Sequence, residues 1–440
     1  MSVSGREAAL QALSACRKRG AWSEDALSSA IAKNGLDSRE AALASRICYG
    51  VVQNRMLCDY YLRHVVSTPL EKLEPLVLDI LRMGVYQIAL MDKIPASAAV
   101  NESVKLAKAH GLQRAAGLIN AVLRRLAKGP LPEITAADDL EALSIQTSHP
   151  LWLVRRIRER IGPEEAAAFF RENNRPAAMT AQVNTLKTDR SRLKAELTDS
   201  GVSCDEGYVD DCLILSHTGP LEQLPAFARG AFYVQDMAAV MAVSAAGMRP
   251  GMRVLDGCAA PGGKSFACAI AMENRGEILS CDIHENKLSR IQSGARRLGI
   301  GIIRTRCADA RQNEPTYNEA FDAVLADVPC SGLGVIRKKP EIRYKDPETI
   351  KELPVVQSDI LENLSRYVRP GGVLLYATCT VLPEENEEVL TRFLETHGAF
   401  KPEGFRLPGP AGDVPGGMIT LWPQRHGTDG FFIGKLRRQA

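Results

Sequence analysis

Two cysteines follow apolar runs that end in small polar motifs, Asp327-Val328-Pro329-Cys330-Ser331-Gly332 and Ala377-Thr378-Cys379-Thr380. A lone cysteine at a strand end is usually a small buried hydrophobe. Two thiols at successive strand ends, next to an acid, can instead carry nucleophilic chemistry. Upstream, Asp256-Gly257-Cys258-Ala259-Ala260-Pro261-Gly262-Gly263-Lys264 follows another apolar run. A turn of small residues there lets a ligand lie against backbone at the carboxyl edge of a parallel sheet. The spacing is neither the Gly-x-Gly-x-x-Gly of pyrophosphate binders nor a Walker loop. Asp282 and Asp309 close the next two runs. Each acid alone could be a strand-end cap. As an ordered set, Asp282 is placed for ribose hydroxyls and Asp309 for an adenine amino group. Acids around a glycine-rich loop repel polyphosphate and suit the sulfonium and ammonium groups of S-adenosylmethionine, which is the expected methyl donor.

A methyl donor beside two thiols narrows the acceptor. Carbon 5 of cytosine is a poor nucleophile until another nucleophile adds at carbon 6 and leaves an enamine. After methyl transfer the carbon 5 proton must depart and the adduct must eliminate. One thiolate for addition and a second group to assist elimination meet that demand. Asp327 is placed to share a proton with the ring nitrogen as charge develops. Two rivals remain. A dehydrogenase would need the missing dinucleotide fingerprint, and a catalytically silent RNA-binding or assembly factor would have no use for both thiols.

The elements that must hold these residues alternate. Strand-like runs cover 253–258, 277–283, 303–308, 322–327 and 373–378, with helical stretches at 264–273, 286–298, 348–368 (interrupted at Pro354) and 384–396. That alternation predicts a doubly wound α/β domain over 246–440, with 418–421 and 430–436 as an antiparallel edge. Residues 148–245 mix a basic helix, 151–160, with short strands near 180–184, 212–215 and 231–234, and read as a small α/β module. Residues 1–132 read as helices separated by breakers at Asn34-Gly35, Thr68-Pro69, Ile94-Pro95 and Gly129-Pro130, with an acidic linker over 131–147.

At 440 residues the chain is long enough for several cores. With 45% hydrophobic and 24% charged residues it is ordinary globular protein, not a disordered or fibrous one. No apolar run approaches the roughly 18 residues of a membrane span. The first ten residues hold no signal-peptide core, so a cytoplasmic protein with free thiols is expected. The net charge of +3 hides a basic first module: residues 1–130 hold 18 lysines and arginines against 11 acids. That suits a nucleic-acid partner, although a solvated helical surface would look the same. Eleven cysteines contain no Cys-x-x-Cys pair, so no metal is expected.

The string Leu255 to Ser265, taken with Asp327 to Gly332 and Thr378-Cys379, resembles the RNA 5-methylcytosine methyltransferases, in particular those of small-subunit ribosomal RNA. Asn54-Arg55, Ile80 to Gly84, Ile94-Pro95 and Asn101 to Lys108 resemble the helical RNA-binding fold of the antitermination factor NusB. The resemblance implies Cys379 as nucleophile, Cys330 as assisting thiol and Asp327 as a further catalytic residue. It implies donor contacts from Cys258, Ala259, Ala260, Pro261, Gly262, Gly263, Lys264, Asp282, Asp309 and Asp327. The implied enzyme is bacterial, acts as a monomer on 16S ribosomal RNA, free or in an early particle, and needs no membrane. Two positions depart from the family: Thr380 stands in place of the usual Ser, and Gly257 in place of an apolar residue. Arg337, Lys338, Lys339, Arg343 and Lys345, with Tyr344, are expected to contact phosphates and stack a base. Arg155, Arg156, Arg158 and Arg160 could contact RNA or simply be solvated, and no histidine is assigned to catalysis.

Overall fold

The computed structural model describes residues 4–19 and 21–440. The chain forms two compact units. One is the chain up to Arg175 together with Ile336–Tyr344; the other is Pro176–Val335 with Lys345–Ala440.

The first unit is helical. Helices Gly5–Arg19, Ser38–Gln53, Pro75–Leu90 and Gln113–Lys128 turn Leu10, Ile47, Ile80, Leu81, Ile119 and Leu123 into one core, following the 3.6-residue period of their apolar positions. Local signals set the ends. Asp37 caps Ser38–Gln53 by accepting from the Glu40 N–H at 2.8 Å, and Pro75 opens the next long helix, where its missing N–H costs nothing. The expected linker over 131–147 is corrected in its second half. Asp138 accepts from the Glu141 N–H at 2.8 Å, Glu141 accepts from the Ala137 N–H at 2.6 Å, and helix Asp139–Thr147 follows. Acids at a helix start favour the helix, so the run is a cap rather than a tether.

The second unit carries two main sheets. Strands β1 (Met179–Val183), β2 (Ser203–Glu206), β3 (Cys212–Ser216) and β4 (Phe232–Val234) form an antiparallel sheet in the order β2-β3-β1-β4. Helix Arg190–Asp199 buries Leu193 and Leu197 in the same cluster as Ala181, Val183, Leu213 and Phe232. Helix Met237–Ala246 follows, capped by Asp236 and buried nearly all round, as an apolar helix inside a domain must be.

The larger sheet contains β5 (Arg253–Asp256), β6 (Glu277–Asp282), β7 (Ile303–Cys307), β8 (Phe321–Asp327), β9 (Val368–Thr378) and β10 (Phe400–Pro402). After the small hairpin of β11 (Phe405–Arg406) and β12 (Asp413–Val414) come β13 (Met418–Leu421) and β14 (Phe431–Arg438). Its order is β10-β14-β9-β8-β5-β6-β7, with β13 also paired to β14. The β7-β6-β5-β8-β9 ladder is parallel and β14 runs antiparallel to β9. Alternate residues feed opposite cores: Val254, Ile278 and Leu325 enter one, while Leu255, Val324 and Tyr376 enter the other. A sheet buried on both faces explains the unbroken apolar runs. The strand order reverses between β5 and β8, and that switch point opens the crevice where α/β sheets take ligands.

Candidate active site

The donor loop leaves β5 at the switch point. The Gly257 N–H donates to the Leu325 carbonyl at 2.9 Å, and the Ala259 N–H donates to the Cys281 carbonyl at 2.7 Å, so the loop is stitched to β8 and β6. The Ala260-Pro261 bond is cis. Gly262, at φ 110°, stands in the left-handed region that favours glycine, and helix Gly263–Ala271 begins immediately after it. Beneath the loop, Ser265 donates to Asp256 at 2.7 Å. Burial pushes the Asp256 carboxyl up to about 6 against that hydrogen bond.

A cavity of about 200 Å³ opens beside the loop, walled by Leu255, Gly257, Cys281, Ala308, Asp309 and Leu364 among others. Its mixture of apolar wall and carboxylate rim fits a nucleoside base. The Gly257 departure has a physical reason here, because a Cβ would lie 2.6 Å from Leu364 Cδ1. Asp282, at the end of β6, accepts from the His284 N–H at 2.9 Å and from the Ala260 N–H at 3.3 Å. Asp309 is gripped by Arg311, with Nε–Oδ1 at 3.0 Å and Nη2–Oδ2 at 2.8 Å. This pairing holds its carboxyl below the usual range, and only its remaining lone pairs can accept from a ligand. Burial and the neighbouring acids push the Cys258 thiol up, which leaves it an uncharged wall.

Across the crevice, β8 and β9 run in parallel register with Asp327 opposite Ala377, so the segments beyond them deliver Cys330 and Cys379 side by side. Their sulfurs are 3.2 Å apart and both residues are half-buried. Lys264 reaches over from the donor loop and bonds Asp327, Nζ to Oδ2, at 2.6 Å. Burial pulls the Lys264 ammonium down, but Asp327 outweighs it and the net shift is upward. The two thiols are polarised oppositely. The hydrogen bond with Cys330 lowers Cys379, against burial and Asp327 and with help from Lys264. Cys330 is raised by that same bond, then by burial and by Glu385. The surroundings thus favour deprotonation of Cys379 over that of Cys330.

Residues 245–437 match the family model described as 16S rRNA methyltransferase RsmB/F, residues 4–128 the NusB family, and residues 149–222 the ferredoxin-like domain of RsmF/B-like methyltransferases. A Bacillus subtilis protein described as "Probable ribosomal RNA small subunit methyltransferase B" is 36% identical over 100% of this chain and 99% of its own length. The chain belongs to the RsmB family of methyltransferases. The RsmB-family protein named ribosomal RNA small subunit methyltransferase B in Vibrio cholerae is 32% identical over 93% of this chain and 92% of its own. The crystal structure of PH0851 superposes with a TM-score of 0.85 at 28% identity, covering 100% of both chains. This RsmB-family chain is thus an S-adenosylmethionine-dependent methyltransferase with a NusB-like helical domain, a ferredoxin-like module and a Rossmann-like catalytic domain.

The basic run after the Pro-Cys motif requires correction. In the helical unit, Arg343 is fully buried and donates to the carbonyls of Gln53 at 2.9 Å, Thr147 at 3.3 Å and Pro340 at 3.1 Å, and to Asn174 Oδ1 at 2.9 Å. Tyr344 donates to the Val52 carbonyl at 3.0 Å, with the Arg55 guanidinium 3.6 Å from its ring centre. Arg337 pairs with Glu172 at 3.7 Å. Arg343 and Tyr344 are structural anchors, because their polar groups are spent on protein carbonyls. Lys345, in the other unit, donates to the Ser331 carbonyl at 2.7 Å. Sequence reasoning missed Glu385, which lies fully buried against both thiol segments. The only sign of it was an acid framed by Leu382 and Val389 rather than on a plainly polar face.

Proposed function

We propose that this protein methylates carbon 5 of a cytosine in 16S ribosomal RNA through a covalent cysteine adduct. The observation that carries the reading is the pair of thiols, 3.2 Å apart, bordering the Lys264–Asp327 ion pair. Cys379, as thiolate, adds to carbon 6 of the ring, forming the S–C6 bond and moving electron density to carbon 5. Asp327, held by Lys264, faces the charge that develops on the ring nitrogen. S-adenosylmethionine supplies the electrophilic methyl group. The carbon 5 proton is then lost to solvent as the S–C6 bond breaks and frees Cys379 as thiolate, with the Cys330 thiol assisting by donating a hydrogen bond to the departing sulfur. The donor is held by the loop Cys258 to Lys264, with Asp282 toward the ribose and Asp309 toward the base.

The ribosomal RNA substrate follows from the relatives' names and from the NusB-like domain, whose basic surface suits RNA docking. Cytoplasmic action on free RNA or an early particle fits the same reading. A silent assembly factor is disfavoured because it would have no use for a polarised thiol pair. Mapping 5-methylcytosine in ribosomal RNA from cells with and without the protein tests the proposal. A cytosine methylated only in its presence supports it, and an unchanged map overturns it.

A further inference from the structure

Of the four residues that flank the two thiols, three bond to Glu385 or Asn386 directly and Pro329 reaches Glu385 through Gln357. Cys330 lies between Pro329, whose carbonyl accepts from Gln357 Nε2 at 3.0 Å, and Ser331, whose N–H donates to Glu385 Oε2 at 2.8 Å. Cys379 lies between Thr378, which donates to Asn386 Oδ1 at 2.5 Å, and Thr380, which donates to Glu385 Oε1 at 3.2 Å. The Thr380 carbonyl also accepts from Asn386 Nδ2 at 3.0 Å. Gln357 Nε2 donates to Glu385 Oε2 at 3.0 Å as well, and Tyr376 fixes the backbone by donating to the Glu385 carbonyl at 2.6 Å.

Glu385 therefore stands where the two segments meet. Its carboxylate is fully buried, bonded to no lysine or arginine among the described residues, and is satisfied by donors from both segments. The hydroxyl order follows. Thr380 gives its proton to Glu385, so the 2.8 Å contact between Ser331 and Thr380 must have Ser331 as donor. Removing this buried acceptor leaves the Ser331 N–H unpaired and cuts the ties that Gln357 and Thr380 make to it, which loosens both segments.

We propose that Glu385 is the positioning residue that holds Cys330 and Cys379 at reacting distance from each other, by accepting from the segments that carry both. The proposal rests on the two-thiol reading above and goes beyond it by naming what sets the thiol separation. A glutamine can keep the arrangement: its carbonyl accepts from Ser331 and Gln357, and its amide donates to Thr380 if the hydroxyl chain reverses. An alanine cannot.

The test compares Glu385→Ala and Glu385→Gln in the full-length protein by two readouts. The first is methyl transfer, resolved into kcat and donor KM. The second is disulfide formation on treatment with diamide, in which Cys330 and Cys379 lose two protons and two electrons to form one S–S bond and diamide is reduced to its hydrazine. Glu385→Ala is expected to lower kcat by about 10²-fold, the cost of a misplaced reacting group, with donor KM unchanged. It should slow the Cys330–Cys379 disulfide similarly, while Glu385→Gln stays within about tenfold of the parent in both. Should Glu385→Ala fail to fold, Thr380→Val, which removes one tie, reads the same disulfide rate and is expected to slow it by about tenfold. An unchanged disulfide rate in whichever variant folds overturns the positioning role. A parent protein that forms the disulfide yet makes no 5-methylcytosine overturns the proposed reaction and leaves the positioning role standing.

Discussion

Lys264 and Asp327 meet across the crevice at 2.6 Å, one from the donor loop and the other from the end of β8. The pair ties the two halves of the site together and sets a cation near Cys379. The thiolate form of Cys379 is favoured by the Cys330 hydrogen bond and by Lys264 and opposed by burial and Asp327, so replacing Lys264 leaves Asp327 unopposed. In Lys264→Met the Cys379 pKa should rise, and the acid limb of kcat/KM against pH should move to higher pH. A pH–rate profile with an unmoved limb contradicts this role.

Asp282 accepts from two backbone N–H groups, so it shapes the loop after β5, and the proposed donor site turns it toward the ribose. Asp282→Ala should weaken S-adenosylmethionine binding by about 1–3 kcal/mol, read by calorimetry. Unchanged affinity removes Asp282 from the donor site.

Asp256 carries the clearest pH signature in the catalytic domain. Its folded pKa, raised by burial to about 6, exceeds that of an unfolded aspartate near 4. Raised acids stabilise the fold while protonated, so this contribution is full below about pH 4 and is lost as pH rises through about 6. Asp256→Asn keeps an acceptor for Ser265 and cannot ionise. Relative to the parent it should gain stability between pH 4 and pH 7, by at most about 3 kcal/mol. Chemical denaturation at the two pH values measures the gain, and a constant difference contradicts it.

Arg343 is the anchor of the Ile336–Tyr344 segment in the helical unit. Arg343→Ala should leave several buried carbonyls unpaired, at about 1–3 kcal/mol each. Arg343→Lys should not rescue it, since one ammonium cannot span a planar fork of acceptors. Hydrogen exchange should then rise across 336–344. Unchanged protection in both variants contradicts the anchoring role.

What could be read from the residues alone was whatever repeats or ends a strand. Val254-Leu255, Val324-Leu325-Ala326 and Leu374-Leu375-Tyr376 are buried on both faces, so their runs are unmistakably apolar, and the acids and thiols that end them mark the ligand edge. β2 was invisible because Ser203–Glu206 is polar and at the edge of its sheet. Helix Asp139–Thr147 was hidden because its capping acids looked like a linker. Arg343 could not be recognised as buried, since carbonyls as distant in sequence as Gln53 and Thr147 accept its donors. Glu385 was lost among Glu384, Asn386 and Glu387, and only the folded chain distinguishes the acid that faces Ser331. Local pattern reports burial and periodicity. Polar partners drawn from distant segments leave no local trace.

The order of the two thiols in the reaction is the centre of the account, and one gel reads it. Cys379 and Cys330 are each replaced by alanine, the proteins are mixed with labelled substrate RNA and S-adenosylmethionine, and the products are separated under denaturing conditions where only covalent complexes survive. Loss of a positioned group that assists elimination costs about 10²–10⁴-fold, enough for the adduct to accumulate. Cys330→Ala should therefore give a retarded protein–RNA band, while Cys379→Ala and the double variant give none. A retarded band from Cys379→Ala, with none from Cys330→Ala, would reverse the roles and contradict the assignment of Cys379 as the nucleophile.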